Sequence, residues 1–164
     1  MKLGRSYSRD QSGNIAHLLH EYKAEYDSWL KLIVGGTLAL TLVLGIVLLP
    51  SDLLAAWIMF GVTLFDALLF SSVLPRRYQI FQDRLKIVLG SPFAFTIPFT
   101  TIREVRPASG SKALVYWGIR WATSSRSVVE IVRSQGLNVV ISPANRNAFL
   151  HQLTQALKAV SNSK

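Results

Sequence analysis

The sequence predicts an α+β membrane protein: a two-helix transmembrane hairpin followed by a small seven-strand β-barrel or sandwich, capped by a C-terminal α-helix. Three observations carry this. Residues 32–49 and 53–74 are two apolar runs separated by Pro50, Ser51 and Asp52, and a single acid, Asp66, interrupts them. From Arg77 onward apolar residues recur at every second position, the period of a half-buried strand. After Pro143 the spacing returns to that of a helix.

Composition agrees. Half of the residues are apolar and only 16% are charged, and the mean hydropathy is +0.31, high for a water-soluble domain. Lysine and arginine total 18 against 9 acids, a formal net charge of +9. Cysteine is absent, which excludes a disulfide framework, a thiolate nucleophile and a cysteine-based zinc site. The 164 residues divide into an N-terminal cytoplasmic segment (1–31), the hairpin (32–74) and a cytoplasmic β-domain (75–164).

At about 1.5 Å per residue the first run nearly crosses a hydrocarbon core of about 30 Å. Neither run has the polar face that a core helix of a soluble protein shows. A signal peptide fits poorly, because the first run starts near residue 30 and a second follows at once. Lys23 and Lys31 precede the hairpin, Arg76 and Arg77 follow it, and its turn offers only Asp52. The positive-inside rule therefore expects a multi-pass membrane protein with both termini in the cytoplasm.

Ahead of the hairpin, Ile15, Leu18, Leu19, Tyr22, Tyr26 and Trp29 recur at helical spacing, predicting an amphipathic helix over 14–29 that meets the bilayer at Trp29. His17, His20 and Glu21 would share a face of that helix, but no second ligand group answers them and no metal site is expected.

Downstream, "RYQIFQ" and "RLKIVLG" read as a hairpin turning at Gln82-Asp83, followed by "FAFTIPF", "TIREVR", "ALVYWGIRW", "VVEIVRS" and "LNVVIS". Ser142 and Pro143 suit an N-cap and first helical position, and Phe149, Leu150, Leu153, Ala156, Leu157 and Val160 form one apolar stripe. Seven strands and a closing helix is the element order of a pleckstrin-homology (PH) barrel.

Specific residues strengthen that likeness. Tyr78 and Ile80, Asp83 with Leu85 and Ile87, Ile97-Pro98 with Ile102, and Ile141-Ser142-Pro143 with Phe149 and Leu153 resemble the pattern of bacterial PH domains that follow a transmembrane hairpin, the group that includes the sublancin immunity protein. The resemblance spans about residues 75–158 and implies a PH-like domain. Its positions mark strand faces and a helix start, so it speaks to fold more than to function.

Catalytic chemistry finds few residues. The β-domain holds three acids (Asp83, Glu104, Glu130), one histidine (His151) and no Gly-rich phosphate loop, so neither an enzyme nor a cofactor is expected. Its cations are the main resource. Arg76, Arg77, Arg84, Lys86, Arg103 and Arg106 are the candidate lipid-surface or ligand residues, expected to attract anionic membrane lipid diffusely. In PH domains that bind phosphoinositides the site centres on a roomy loop between the first two strands; here Gln82-Asp83-Arg84 is short and carries an acid. Tyr116, Trp117 and Trp121 are expected in the core or an interface rather than as a nucleic-acid stacking surface, so no nucleic acid is expected. Asp66 is the candidate intramembrane polar contact, to a membrane protein partner or a homo-oligomer. The reading is a non-enzymatic binding or scaffolding module that recruits or stabilises a membrane protein. Alternatives are immunity against a membrane-active peptide and a small transport or ion-coupled accessory using Asp66.

Overall fold

Two helices of 21 residues, α1 (Ser28–Leu48) and α2 (Leu53–Val73), lie side by side across the turn at Pro50–Asp52. The computed structural model that shows them describes residues 7–9, 15–90, 92–108, 111 and 117–162. Asp52 caps α2, its Oδ1 accepting from the Ala55 amide at 3.0 Å. The helices approach closely where Gly45 faces Phe60, and the Thr41 and Thr63 hydroxyls meet at 2.8 Å. Otherwise their apolar surface is bare: only 6% of each apolar window is buried. They are long and apolar enough to cross a membrane, and they are not packed as the core helices of a soluble fold.

The β-domain has two sheets. The first runs β1 (Tyr7–Arg9), β2 (Ile15–Lys23), β3 (Arg77–Phe81), β4 (Arg84–Val88), β5 (Ala94–Pro98), with antiparallel neighbours throughout. A 3-10 turn (Phe99–Thr101) leads into the second, in which β6 (Ile102–Pro107), β7 (Ile119–Trp121), β8 (Val129–Arg133) and β9 (Val139–Ile141) are ordered β6-β8-β9-β7, with β7 parallel to β9. Alternation puts Tyr78, Ile80, Leu85, Ile87 and Ile97 of the first sheet against Val129, Ile131, Val139 and Ile141 of the second. Helix α3 (Arg146–Asn162) covers the core with Phe149, Leu153 and Ala156 buried and Leu150, Leu157 and Val160 partly so. Phe149 meets the Tyr22 and Tyr78 rings edge-on at 5.3 and 6.2 Å.

The seven expected strands correspond to β3–β9; of the "ALVYWGIRW" segment only its end, β7, is a described strand, and 112–116, with Tyr116, lie outside the described residues. Trp117 is 97% exposed, not core; Trp121 packs partly against the core.

The amphipathic helix expected over 14–29 is a correction. Residues 15–23 are strand β2, paired with β3 from Leu18↔Phe81 to Lys23↔Arg77, and Asn14 lies outside the described residues. The spacing of Leu18, Tyr22 and Tyr26 is four, a multiple of two as well as one helical turn, so it fits either period. A register shift between Leu18 and His20 leaves Leu19 exposed, while Tyr22 and Ala24 turn to the core. Pairing also covers the β3 edge, which would otherwise present free amides and carbonyls. Consequently residues 15–23 are not separate from the β-domain: β2 belongs to the same sheet as β3–β5, and the chain enters α1 from, and leaves α2 into, adjacent strands.

The helix start also differs. α3 begins at Arg146, and Asn145 Oδ1 accepts from the Ala148 amide at 3.2 Å. Ser142, expected as the cap, is buried and accepts from the Thr123 and Ser124 amides at 2.8 and 3.2 Å.

Candidate functional site

Strands β3 and β4 present alternate residues outward, and at the end nearest the hairpin these are cationic. Arg76, Arg77, Gln79 and Lys86 line a groove of about 360 Å³, with Pro92 and Phe93 also in its lining. The hairpin register fixes the grouping: Gln79 stands opposite Lys86, Arg77 opposite Val88, and Lys23 of β2 opposite Arg77. Arg76 also donates to the Ser71 carbonyl at 3.3 Å, at the base of α2. Glu21 is the acid of this face, bridged to Arg77 at 3.2 Å and accepting from Gln79 Nε2 at 2.7 Å. The outcome is a net-positive concave surface directly beside the helix ends.

The other candidate cations lie elsewhere. Arg84 sits at the far turn of β3–β4, paired with Asp83 at 3.2 Å and stacked over Phe81 at 5.9 Å. This engages both Asp83 and Arg84 of the short loop between β3 and β4. Arg106 serves buried Glu130 at 2.9 Å, and Arg103 lines a separate groove between β6 and α3 with Lys158. The six candidates are thus not one site: Arg76, Arg77 and Lys86 converge and the rest do not. Asp66 is half-buried and has no hydrogen-bond partner among the described residues. The hairpin hydroxyls of Thr37, Thr41 and Thr63 bond to backbone carbonyls of Ile33, Thr37, Leu38 and Met59 or to each other.

Sequence reasoning missed a polar joint between hairpin and domain. Asp27 occupies the N-cap of α1, yet its carboxylate makes no capping bond. It accepts instead from Ser124 Oγ at 2.7 Å, from the Ser125 amide and hydroxyl at 2.8 Å each, and from Trp29 Nε1 at 3.2 Å. These donors, the Ser124 hydroxyl first and the Ser125 amide next, hold its pKa down to about 2 against the opposing effect of burial. One residue pair away, Glu25 accepts from the Ser127 hydroxyl, and its carbonyl accepts from Thr123 and Ser142 hydroxyls. The Asp27 amide donates to Thr123 O at 3.0 Å. A second joint is steric: the Gly90 amide donates to Ser72 O at 3.1 Å, so close that a Cβ there would lie 1.7 Å from Ser71 O. The available signal was the Thr-Ser-Ser-Arg-Ser run of residues 123–127, rich in hydroxyls.

Among the described residues no His, Cys, Asp or Glu group could hold a metal ion. No curated protein and no solved structure matches the chain. A family model described as the bacterial PH domain matches residues 76–157, half of the 164-residue chain, beginning at the first arginine of the basic groove. With the two sheets, the strand pattern and the closing helix already in place, this match shows that the chain belongs to the bacterial PH domain family.

Proposed function

We propose that this protein is a membrane-anchored, non-enzymatic PH module of the bacterial inner membrane, holding its basic groove against the cytoplasmic leaflet while the hairpin engages a membrane protein partner. One observation carries the reading: β2 and β3 are adjacent strands, so both ends of an apolar hairpin emerge at a single folded domain, and cations crowd that junction. A domain tied to both ends must sit on one side of the bilayer, and Lys23, Lys31, Arg76 and Arg77 make that side the cytoplasmic one. The half-buried Asp66, without a partner in its own hairpin, supports a contact with another membrane helix.

Reporter fusions to the N-terminus and after Lys164 should both report cytoplasm, and alkaline carbonate should leave the chain in the membrane. A periplasmic signal from either end, or release by carbonate, refutes the reading. Protection of a host cell from a membrane-active peptide on expression of the chain, with no partner recovered in mild detergent, would replace scaffolding by immunity.

A further inference from the structure

A crevice of about 180 Å³ opens where hairpin and domain join, lined by Trp29, Leu30, Val73, Leu74, Arg120 and Trp121. Its walls come from the first turn of α1, the last turn of α2 and the end of β7, so it lies at the level where both apolar helices leave the domain. Two indoles flank it and they differ. Trp29 Nε1 donates to Asp27. Trp121 Nε1 is buried with no acceptor, one of two such side-chain atoms among the described residues, the other being Arg133 Nε. Nearly all buried polar groups in folded proteins have a partner, so an orphan on a residue that lines a crevice points to a ligand that would supply one.

We propose that this crevice holds the phosphate and glycerol portion of one anionic phospholipid. The inference rests on the membrane reading above. The apolar side chains Leu30, Val73 and Leu74 belong to the helix ends that would meet acyl chains. Arg120 supplies positive charge for the phosphodiester, and an ester or phosphate oxygen seated against Trp121 supplies the acceptor that its indole lacks. Tryptophan at the membrane interface commonly plays this double role, with an apolar ring and a polar edge. The volume limits the headgroup: it corresponds to roughly six water molecules at liquid density, suited to a small headgroup and too small for a multiply phosphorylated sugar ring. The site is separate from the Arg76, Arg77 and Lys86 groove, which shares no lining residue with it.

The test is native mass spectrometry of the full chain in mild detergent, titrated with dioleoylphosphatidylglycerol or dioleoylphosphatidylcholine. The wild type should retain one phosphatidylglycerol preferentially. Trp121→Phe, which keeps the ring and removes the donor, should weaken that retention about tenfold, the scale of one charge-assisted hydrogen bond. Arg120→Gln, at an exposed position, should weaken phosphatidylglycerol more than phosphatidylcholine, whose headgroup carries its own cation beside the same phosphodiester and so gains less from Arg120. Equal retention of the two lipids, wild-type retention in both variants, or competition by soluble glycerol 3-phosphate at the same concentration would overturn the proposal. Release of the chain by alkaline carbonate overturns the membrane reading itself, whereas an embedded chain with unselective retention overturns the crevice alone.

Discussion

Replacing Asp27 by asparagine tests whether the polar joint fixes hairpin to domain. The side chain keeps its shape but loses its charge, and it turns two amide hydrogens toward Ser124 and Ser125, which already donate. A hydrogen bond to a charged group contributes about 1.5–3 kcal/mol. Some hydroxyls will turn to other acceptors, so a net loss of about 3 kcal/mol is expected rather than the sum. At about 2–4 °C per kcal/mol for a chain of this size, the melting temperature should fall by about 6–12 °C. The assay is tryptophan fluorescence of the full chain in detergent, scanned at one fixed rate because unfolding of such proteins is often irreversible. The acid limb gives an independent sign. The folded pKa of about 2 lies below the usual aspartate value of 3.8, so the stabilisation is complete above about pH 4 and disappears as pH falls toward 2. Wild type should therefore lose stability relative to Asp27→Asn across that window, and the two should converge below it. A melting temperature within 2 °C of wild type (a threshold of about 1 kcal/mol), together with parallel acid profiles, would refute the joint.

Three further outcomes follow from the same geometry. Gly90→Ala puts a Cβ into the Ser71 carbonyl and must push α2 off the domain; a loss of about 3 kcal/mol or more is expected, read as a lower melting temperature and faster proteolysis near residue 74. Changing Arg77 and Lys86 together to serine should weaken binding to anionic vesicles about 30-fold at low salt, at about 1 kcal/mol per cation, and the difference should vanish near 1 M salt; the test compares full-length proteins by vesicle flotation. Asp66→Asn should keep membrane insertion and partner association, whereas Asp66→Leu should insert equally well and lose association in co-purification; association retained by Asp66→Leu would refute the contact.

What the sequence discloses depends on whether an element's partner is local. The hairpin is legible because 18 uncharged residues in a row nearly fill a hydrocarbon core and offer no polar face for water to solvate. Strands β3 and β4 are legible because apolar and polar residues alternate through Arg77–Ile80 and Arg84–Ile87, and Tyr78 and Leu85 point inward as that alternation requires. Strand β2 is not, since nothing in "IAHLLHEYK" distinguishes a helical stripe from a bulged strand; the deciding partner, β3, lies on the far side of the hairpin. The N-cap misassignment has the same root. Ser142-Pro143 satisfies the local rule for a helix start, but the Ser142 hydroxyl is claimed by amides of residues 123 and 124. Asp27 looks like an ordinary cap and is a tertiary acceptor. Of the basic residues, sequence identifies Arg76, Arg77 and Lys86 but only strand register separates them from Arg84, Arg103 and Arg106.

Because Lys23 and Arg77 are register partners, the hairpin is an insertion within a sheet rather than an anchor appended to one. That arrangement makes assembly conditional on topology. Strand β2 emerges during synthesis before the apolar helices, and β3 emerges only after both. If just one helix crossed the bilayer, the two strands would be stranded on opposite sides and the sheet would stay open at its β3 edge, a surface prone to wrong pairing. If both cross, the turn at Pro50–Asp52 brings the strands back together, and the membrane itself performs the long loop closure that would otherwise oppose pairing. On the proposed membrane topology the domain would report on its own insertion, because β2 and β3 can pair only if both helices cross; a chain truncated before Arg76 or begun there has half of the β2–β3 pair and none of the check.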